Sequence, residues 1–279
     1  MTRRRILGAL VAIAVAVAAA VGARGLWRAR PKSAPAASRD LAAFTRQQLW
    51  AALQPVTLAN CDLKRFGEGA DGGYLVCANL LAEVKAGYSY GISGYDGWGC
   101  EVATTLGVPV HQYDCFDTRR PVCGAGTVFH AECVGTGPAE IDGRRFDAMN
   151  RQMAANGDAV ARVVMKMDVE GAEWDAFLTA PDSMLDRIDQ LVVEMHGTNE
   201  PRFLSTVLRL KQYFHVANLH MNNYACTREQ APFGAWAYEV LFVNKRIATA
   251  TTTPRATTYH ALDRPNAPAQ PDCQGAPAP

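Results

Sequence analysis

Four strings carry the side chains able to hold a small polar ligand and act on it. GISGYDGWG spans Gly91–Gly99, VPVHQYD ends at Asp114, VVMKMDVEGAEWDAF spans Val163–Phe177, and QLVVEMHG adds Glu194 and His196. A glycine-rich turn after a strand presents backbone amides to a ligand, and the pattern that cradles a dinucleotide diphosphate is G-x-G-x-x-G/A. No frame fits. Read from Gly91, Ser93 and Asp96 take the second and third glycine positions; from Gly94 the second is Asp96; from Gly97 the third is Val102. Asp96 would also set a negative charge beside a diphosphate, where a helix N-terminus favours anions.

An acid within a glycine turn suits a phosphate-free adenosine donor carrying a positive sulfonium and ammonium, namely S-adenosyl-L-methionine. A plain flexible loop is the alternative. Asp114 closes the next strand about twenty residues on, the place from which a carboxylate accepts hydrogen bonds from ribose hydroxyls. Asp117 is a second candidate, and both are also ordinary capping acids.

Alternating strands and helices must position these residues. The apolar runs predict strands at Tyr88–Ser93, Val108–Asp114, Thr127–Val134, Val163–Asp168, Leu191–His196, His215–His220 and Tyr238–Asn244. Helical periodicity predicts helices at Leu41–Leu53, Gly99–Leu106, Arg144–Asn156, Ala172–Leu178 and Arg202–Tyr213. Strands apolar almost throughout and separated by helices imply a mostly parallel sheet covered on both faces, a doubly wound α/β fold. Only a loop separates the last two strands, so they are expected to pair antiparallel at one end. In RFGEGADGGY, Asp71-Gly72 reads as a hairpin turn leading into a strand at Tyr74–Cys77, or as a loop folding over a ligand. Trp174 and Trp236 read as core anchors.

Charge is distributed unevenly. The chain has 28 basic and 27 acidic residues, but eight of the basic ones lie in the first forty, leaving a net −6 beyond them. That argues against a nucleic-acid partner. Ile6–Ala23 carries no charge, follows Arg3–Arg5, and at about 1.5 Å per residue reaches roughly 27 Å, enough to cross a hydrocarbon core. A single-pass anchor is the preferred reading over a cleaved signal peptide, with arginines at both ends leaving the orientation open. Residues 1–23 are thus flank and anchor, 24–40 a linker, 41–246 the domain, and 247–279, rich in Thr, Ala and Pro, a disordered tail. The eight cysteines form no C-x-x-C pair, which disfavours structural zinc. Some of Cys100, Cys115, Cys123 and Cys133 pair in an oxidising compartment; in a reducing one all remain buried thiols.

VVMKMDVEGAEWDAF closely resembles the K-[IM]-D-[VI]-E-G-[AS]-E-W signature of FkbM-type methyltransferases and the related methyltransferase-like (METTL) proteins. LKRFGEGADGGYLVC (Leu63–Cys77) and YSYGISG (Tyr88–Gly94) are similar to the entry segment and first strand of the METTL branch, and QLVVEMHG and YEVLFVNKR to its later strands. The resemblance spans Leu63–Arg246. It implies a class I, Rossmann-like S-adenosylmethionine-dependent methyltransferase with seven strands, the last antiparallel. By position it implies that Gly91 and Ile92 contact the cofactor through backbone, Asp114 the ribose, and that Asp168 and Glu170 line the transfer cleft. The loop GISGYDGWG departs from the D-x-G-A-N-x-G of the wider FkbM group.

Methyl transfer from a sulfonium is an in-line displacement that asks for alignment and dehydration. A hydroxyl acceptor on a small molecule or glycan must also lose its proton. His196 is the expected general base, with Glu170 orienting acceptor or cofactor. Asp168, Glu170, Glu194 and His196 are also a set able to chelate a divalent ion, Glu194 and His196 sharing a strand face. This metal-assisted version is the lesser alternative, and no metal is assigned.

Overall fold

The computed structural model describes residues 36–254 and 259–273. The expected anchor Ile6–Ala23 and most of the 24–40 linker lie outside them. Among the described residues no helix is long and apolar enough to cross a membrane.

Seven strands build the central sheet: β1 (Ala86–Tyr90), β2 (Val110–Tyr113), β3 (Thr127–His130), β4 (Val163–Met167), β5 (Ile188–His196), β6 (Phe214–Met221) and β7 (Ala237–Asn244). Their spatial order is β6-β7-β5-β4-β1-β2-β3. All run parallel except β7, which is antiparallel to both β5 and β6. The mixed α/β sheet with its last strand reversed is therefore present. From β1 the chain first builds outward to β3 and then returns to lay β4 on the other side of β1. That reversal opens a crevice beyond the carboxyl ends of β1 and β4, the usual ligand position in open α/β sheets.

Every residue of β1 and β4 is buried, as expected of central strands covered on both faces. Successive side chains alternate faces. Met165, Met167, Leu191 and Val193 pack with Leu49 of α1 (Ala36–Ala52) and Leu53 just after it, Met149 and Met153 of α2 (Met149–Ala155), Trp174 and Phe177 of α3 (Glu173–Thr179), and Val207 and Leu210 of α4 (Pro201–Tyr213). Val164 and Val192 face the other way, against Trp98 and Val102 of helix Gly97–Leu106 and against Tyr74 and Val76. Asp96 caps that helix, accepting from Gly99 N at 2.9 Å, and Gly107 ends it in the left-handed region.

Three expectations need correction. Arg144–Asn156 is not one helix. Asp142 and Gly143 both hold positive φ (51° and 73°), the geometry of a tight hairpin, so Arg144–Ala148 pairs with Ala139–Ile141 and with Cys133–Gly135 as a small separate sheet before α2 begins. The predicted strand Thr127–Val134 is correspondingly cut into β3 and Cys133–Gly135. Trp236 is 43% exposed and anchors no core, whereas Trp174 is fully buried as expected.

The segment expected to be a disordered tail packs on the domain over much of its length. Ala250–Pro254 pairs with Val56–Leu58, and Asn266 and Cys273 are buried. β-Branched threonines suit an edge strand, and the Cys226–Cys273 disulfide ties residue 273 down. The expected linker also ends early, since α1 starts at Ala36.

All eight cysteines are paired: Cys61–Cys77, Cys100–Cys123, Cys115–Cys133 and Cys226–Cys273. Leu63–Gly67 and Gly73–Cys77 form the hairpin expected around Asp71-Gly72. It docks through Gln190, whose amide both donates to and accepts from the Cys77 backbone at 2.8 Å.

Candidate functional site

The turn after β1 is shaped by a glycine in the left-handed region and by one carboxylate. Gly91 has φ +71°, and a Cβ there would lie 1.6 Å from the Asp168 carbonyl oxygen, so only glycine allows the β1 and β4 ends to approach this closely. The Asp114 carboxylate at the end of β2 accepts from Ile92 N (3.0 Å) and Ser93 N (2.8 Å) on one oxygen. Its other oxygen accepts from Phe116 N (2.8 Å) and Asp117 N (3.0 Å). A carboxylate offers about four acceptor positions, and here all are taken. Asp114 therefore shapes the turn, and a ribose diol expected at this carboxylate would compete with these four N–H groups. Asp117, the second candidate, is engaged by the Arg119 guanidinium at 2.9 Å. Asp96 is likewise committed to its helix cap and to Gln112 Nε2 at 2.8 Å.

Beside this turn lies a cavity of about 270 Å³, walled by Tyr90, Tyr113, Phe116 and Phe146 and bordered by Gly91, Asp168 and Glu170. Among the described residues no Arg or Lys lines it. Gly91, Asp114 and Asp168 thus border one pocket, as read from the sequence. Ile92 stays outside the lining and contributes its N–H to Asp114.

At the ends of β4 and β5 the arrangement is different. Glu173, at the start of α3 and fully buried, accepts from Gly171 N at 2.8 Å and from His196 N at 2.8 Å, and its Oε1 lies 3.3 Å from His196 Nδ1. Trp174 Nε1 donates to the His196 carbonyl at 2.7 Å. The residue is therefore pinned at backbone and ring, and its Nε2 is aimed at three carboxylates: Glu170 at 3.5 Å, Glu194 at 3.7 Å and Asp168 at 3.8 Å. The His196 side chain is only 9% exposed; that of Glu170, on a residue with φ +54°, is 81% exposed.

Burial disfavours the imidazolium, but the Glu173 hydrogen bond and the charges of Glu173, Glu194 and Asp168 outweigh it and push His196 up to about 9. The imidazolium is thereby favoured in the ligand-free protein. Burial raises the Asp168 carboxyl, with Glu170 and Asp71 adding to it against Lys166 and His196. Burial, then Asp168 and Glu239, pushes Glu194 well above the usual carboxylate range.

Sequence reading missed three contributors, Lys166, Glu173 and Glu239. Lys166, buried within β4, donates to the Gly91 carbonyl at 2.7 Å and joins the two halves of the site. Glu173 is the second acid of E-G-A-E-W, and its spacing after Glu170 was the available signal. Asp71, in the hairpin turn, and Glu239 on β7 form a further cluster with Glu194. Asn266 bridges them, donating to Asp71 at 3.0 Å and Glu239 at 2.7 Å.

No family model matches this sequence, and no curated protein matches it. Among solved structures, the fibrillarin pre-rRNA processing protein of Methanococcus jannaschii matches at 10% identity, over 67% of this chain and 84% of that chain, with a TM-score of 0.37. A likeness at that level carries no argument. The fold assignment rests on strand order, and the resemblance to FkbM-type enzymes on the strings quoted above.

Proposed function

We propose that the chain is a class I methyltransferase that binds S-adenosyl-L-methionine and methylates a hydroxyl of a small molecule or glycan. The cavity at the β1–β4 reversal carries this reading. Its glycine turn lacks the diphosphate pattern, its walls are aromatic, its border is acidic, and among the described residues no Arg or Lys lines it to receive phosphate. Aromatic faces suit an adenine ring, and Asp168 and Glu170 attract a positive donor. When bound, the cofactor supplies an electrophilic methyl group. A ribose diol reaching Asp114 would compete with the four N–H groups that this carboxylate accepts. A cationic ligand beside Asp168 and Glu194 opposes the field that protonates His196 and lowers its pKa, which is what its use as a base at neutral pH requires.

The paired cysteines bear on location. Disulfides persist in oxidising compartments, so we place the domain on the non-cytoplasmic side of a membrane, tethered by Ile6–Ala23 with Arg3–Arg5 inside. The same observation favours a second reading, a tethered binding protein that keeps the fold without turnover, because adenosyl donors are cytoplasmic products. Calorimetric titration with S-adenosylhomocysteine separates the two. Micromolar binding that weakens in Asp168→Asn supports the enzyme, absence of binding supports the second reading, and preference for NAD defeats both.

A further inference from the structure

We infer that Asp168, Glu194 and His196 form a binding site for one divalent transition-metal ion at the inner edge of the cavity. The three offer ligand atoms that all lie within 4.8 Å of one another. His196 Nε2 stands 3.8 Å from Asp168 Oδ1 and 3.7 Å from Glu194 Oε1. These separations are too long for hydrogen bonds. They are close to the ligand-to-ligand edge of roughly 3.4 Å that follows from metal–oxygen and metal–nitrogen bonds of about 2.0–2.2 Å.

A second, independent feature is the way the ring is held. Metal-bound histidines ordinarily donate their other N–H to a carboxylate, which fixes the tautomer and directs the free lone pair at the ion. Glu173 is that carboxylate, fully buried and 3.3 Å from Nδ1. The Nε2 it directs belongs to a side chain 9% exposed and, among the described residues, makes no hydrogen bond. The Asp168 carboxylate receives none either, its nearest cations being Lys166 at 3.9 Å and His196. Glu194 Oε1 is oriented by Asn222 Nδ2 at 2.6 Å, the outer contact a ligating carboxylate commonly has.

Two carboxylates and a neutral imidazole bring a charge of −2, which a divalent ion cancels. One nitrogen with two oxygens suits manganese or zinc better than magnesium. Among the described residues three ligands converge, with Glu170 close by, and Asp168 also lines the cavity, so an ion held there would border it. There the ion would hold an acceptor hydroxyl and favour its deprotonation in place of His196, whose Nε2 it would occupy, with the exposed Glu170 carboxylate at the cavity border taking the proton. That use rests on the methyltransferase reading, but binding of the ion does not.

The test takes the full chain, stripped with a chelator, and follows Mn²⁺ uptake from the spectrum of the free ion, with Zn²⁺ as competitor. Saturable uptake of one ion per chain is expected, weakened at least tenfold in Asp168→Asn and in Glu194→Gln. Glu173→Gln removes no ligand and should weaken uptake by roughly ten- to a hundredfold, while Asp117→Asn should leave it unchanged. In the unsubstituted protein, Mn²⁺ should broaden the His196 ring resonances before those of His215, a readout that needs no variant to fold. Absence of saturable uptake, uptake indifferent to Asp168→Asn, or an unbroadened His196 ring overturns the inference. Titrating the same stripped protein with S-adenosylhomocysteine separates the two claims, since nucleoside binding without ion uptake defeats only this one and the converse defeats only the methyltransferase reading.

Discussion

The two ends of the cavity solve opposite problems. Around the β1 turn each charged group is spent: Asp114 accepts four backbone N–H groups and Lys166 donates to Gly91. Around the ends of β4 and β5, Asp168, Glu170 and Glu194 crowd one imidazole at 3.5–3.8 Å, and of the three only Glu194 accepts a hydrogen bond among the described residues, from Asn222. A fully satisfied polar network makes a rigid scaffold, whereas like charges held together cost stability unless something arrives to compensate. The first end is therefore built for shape and the second for a ligand of positive charge. Substitutions should separate them by size.

Asp114→Ala should have the largest effect, because it strands four N–H groups of a partly buried turn. We expect a loss of about 3–5 kcal/mol in chemical denaturation, from roughly 1–3 kcal/mol for each buried donor left unpaired, reduced where water can reach. A loss below about 1 kcal/mol would mean the turn does not depend on this carboxylate, and the contrast would fail at its first end. The paired change Cys226→Ser with Cys273→Ser comes next. The disulfide closes a loop with a separation of 47 residues, for which chain entropy suggests about 2–4 kcal/mol. Its loss should also free the segment carrying Asn266, so protease cleavage near residues 259–273 should rise with it. Unchanged cleavage would show that the hydrogen bonds of Asn266 and Asn223 hold the segment without the link.

At the other end, Glu194→Gln should cost nothing in the metal-free protein. The amide keeps the shape and the Asn222 contact and stands in for the protonated acid that burial favours, so stability within about 1 kcal/mol of the parent is expected. A loss comparable with that of Asp114→Ala would show that the carboxylates at this end are as fully paired as those of the turn.

The difference between the ends also explains what was legible in the sequence. Strands such as VVMKM and LVVEMH announce themselves by apolar runs, and the order of elements followed from their alternation with helices. The acids at the strand ends were legible as a set because sheet topology gathers them there. The commitment of Asp114 was not, since it depends on four N–H groups whose directions are set by φ at Ser93, Gly94 and their neighbours. Glu239 and Asn266 lie far along the chain from Asp71 and reach it only through the antiparallel placement of β7 and the fastening of residue 273. The threonine-rich segment misled for a related reason: low apolar content excludes a core of its own but not an edge strand or a cross-linked flank. The helix expected over Arg144–Asn156 overlooked Asp142-Gly143, a hairpin signal that was present in the sequence.

The smallest effect concerns the far edge of the satisfied half. His130 on β3 lies 3.1 Å from His111 and stacks on Tyr113 with ring centroids 4.4 Å apart. Burial, helped by His111, holds it down at about 4 against an ordinary 6.5. The unfolded chain therefore binds a proton in this window that the folded chain refuses, so stability falls as pH drops from 6.5 to about 4 and levels off below. His130→Phe keeps the stacked ring and removes the proton site, so thermal melts of the variant should show a shallower slope across that window and an unchanged one above it. The effect should be modest because the ring is only half withdrawn from water, which screens the penalty. A slope identical in both proteins would assign the acid loss to other groups, the carboxylates at the ends of β4 and β5 first among them.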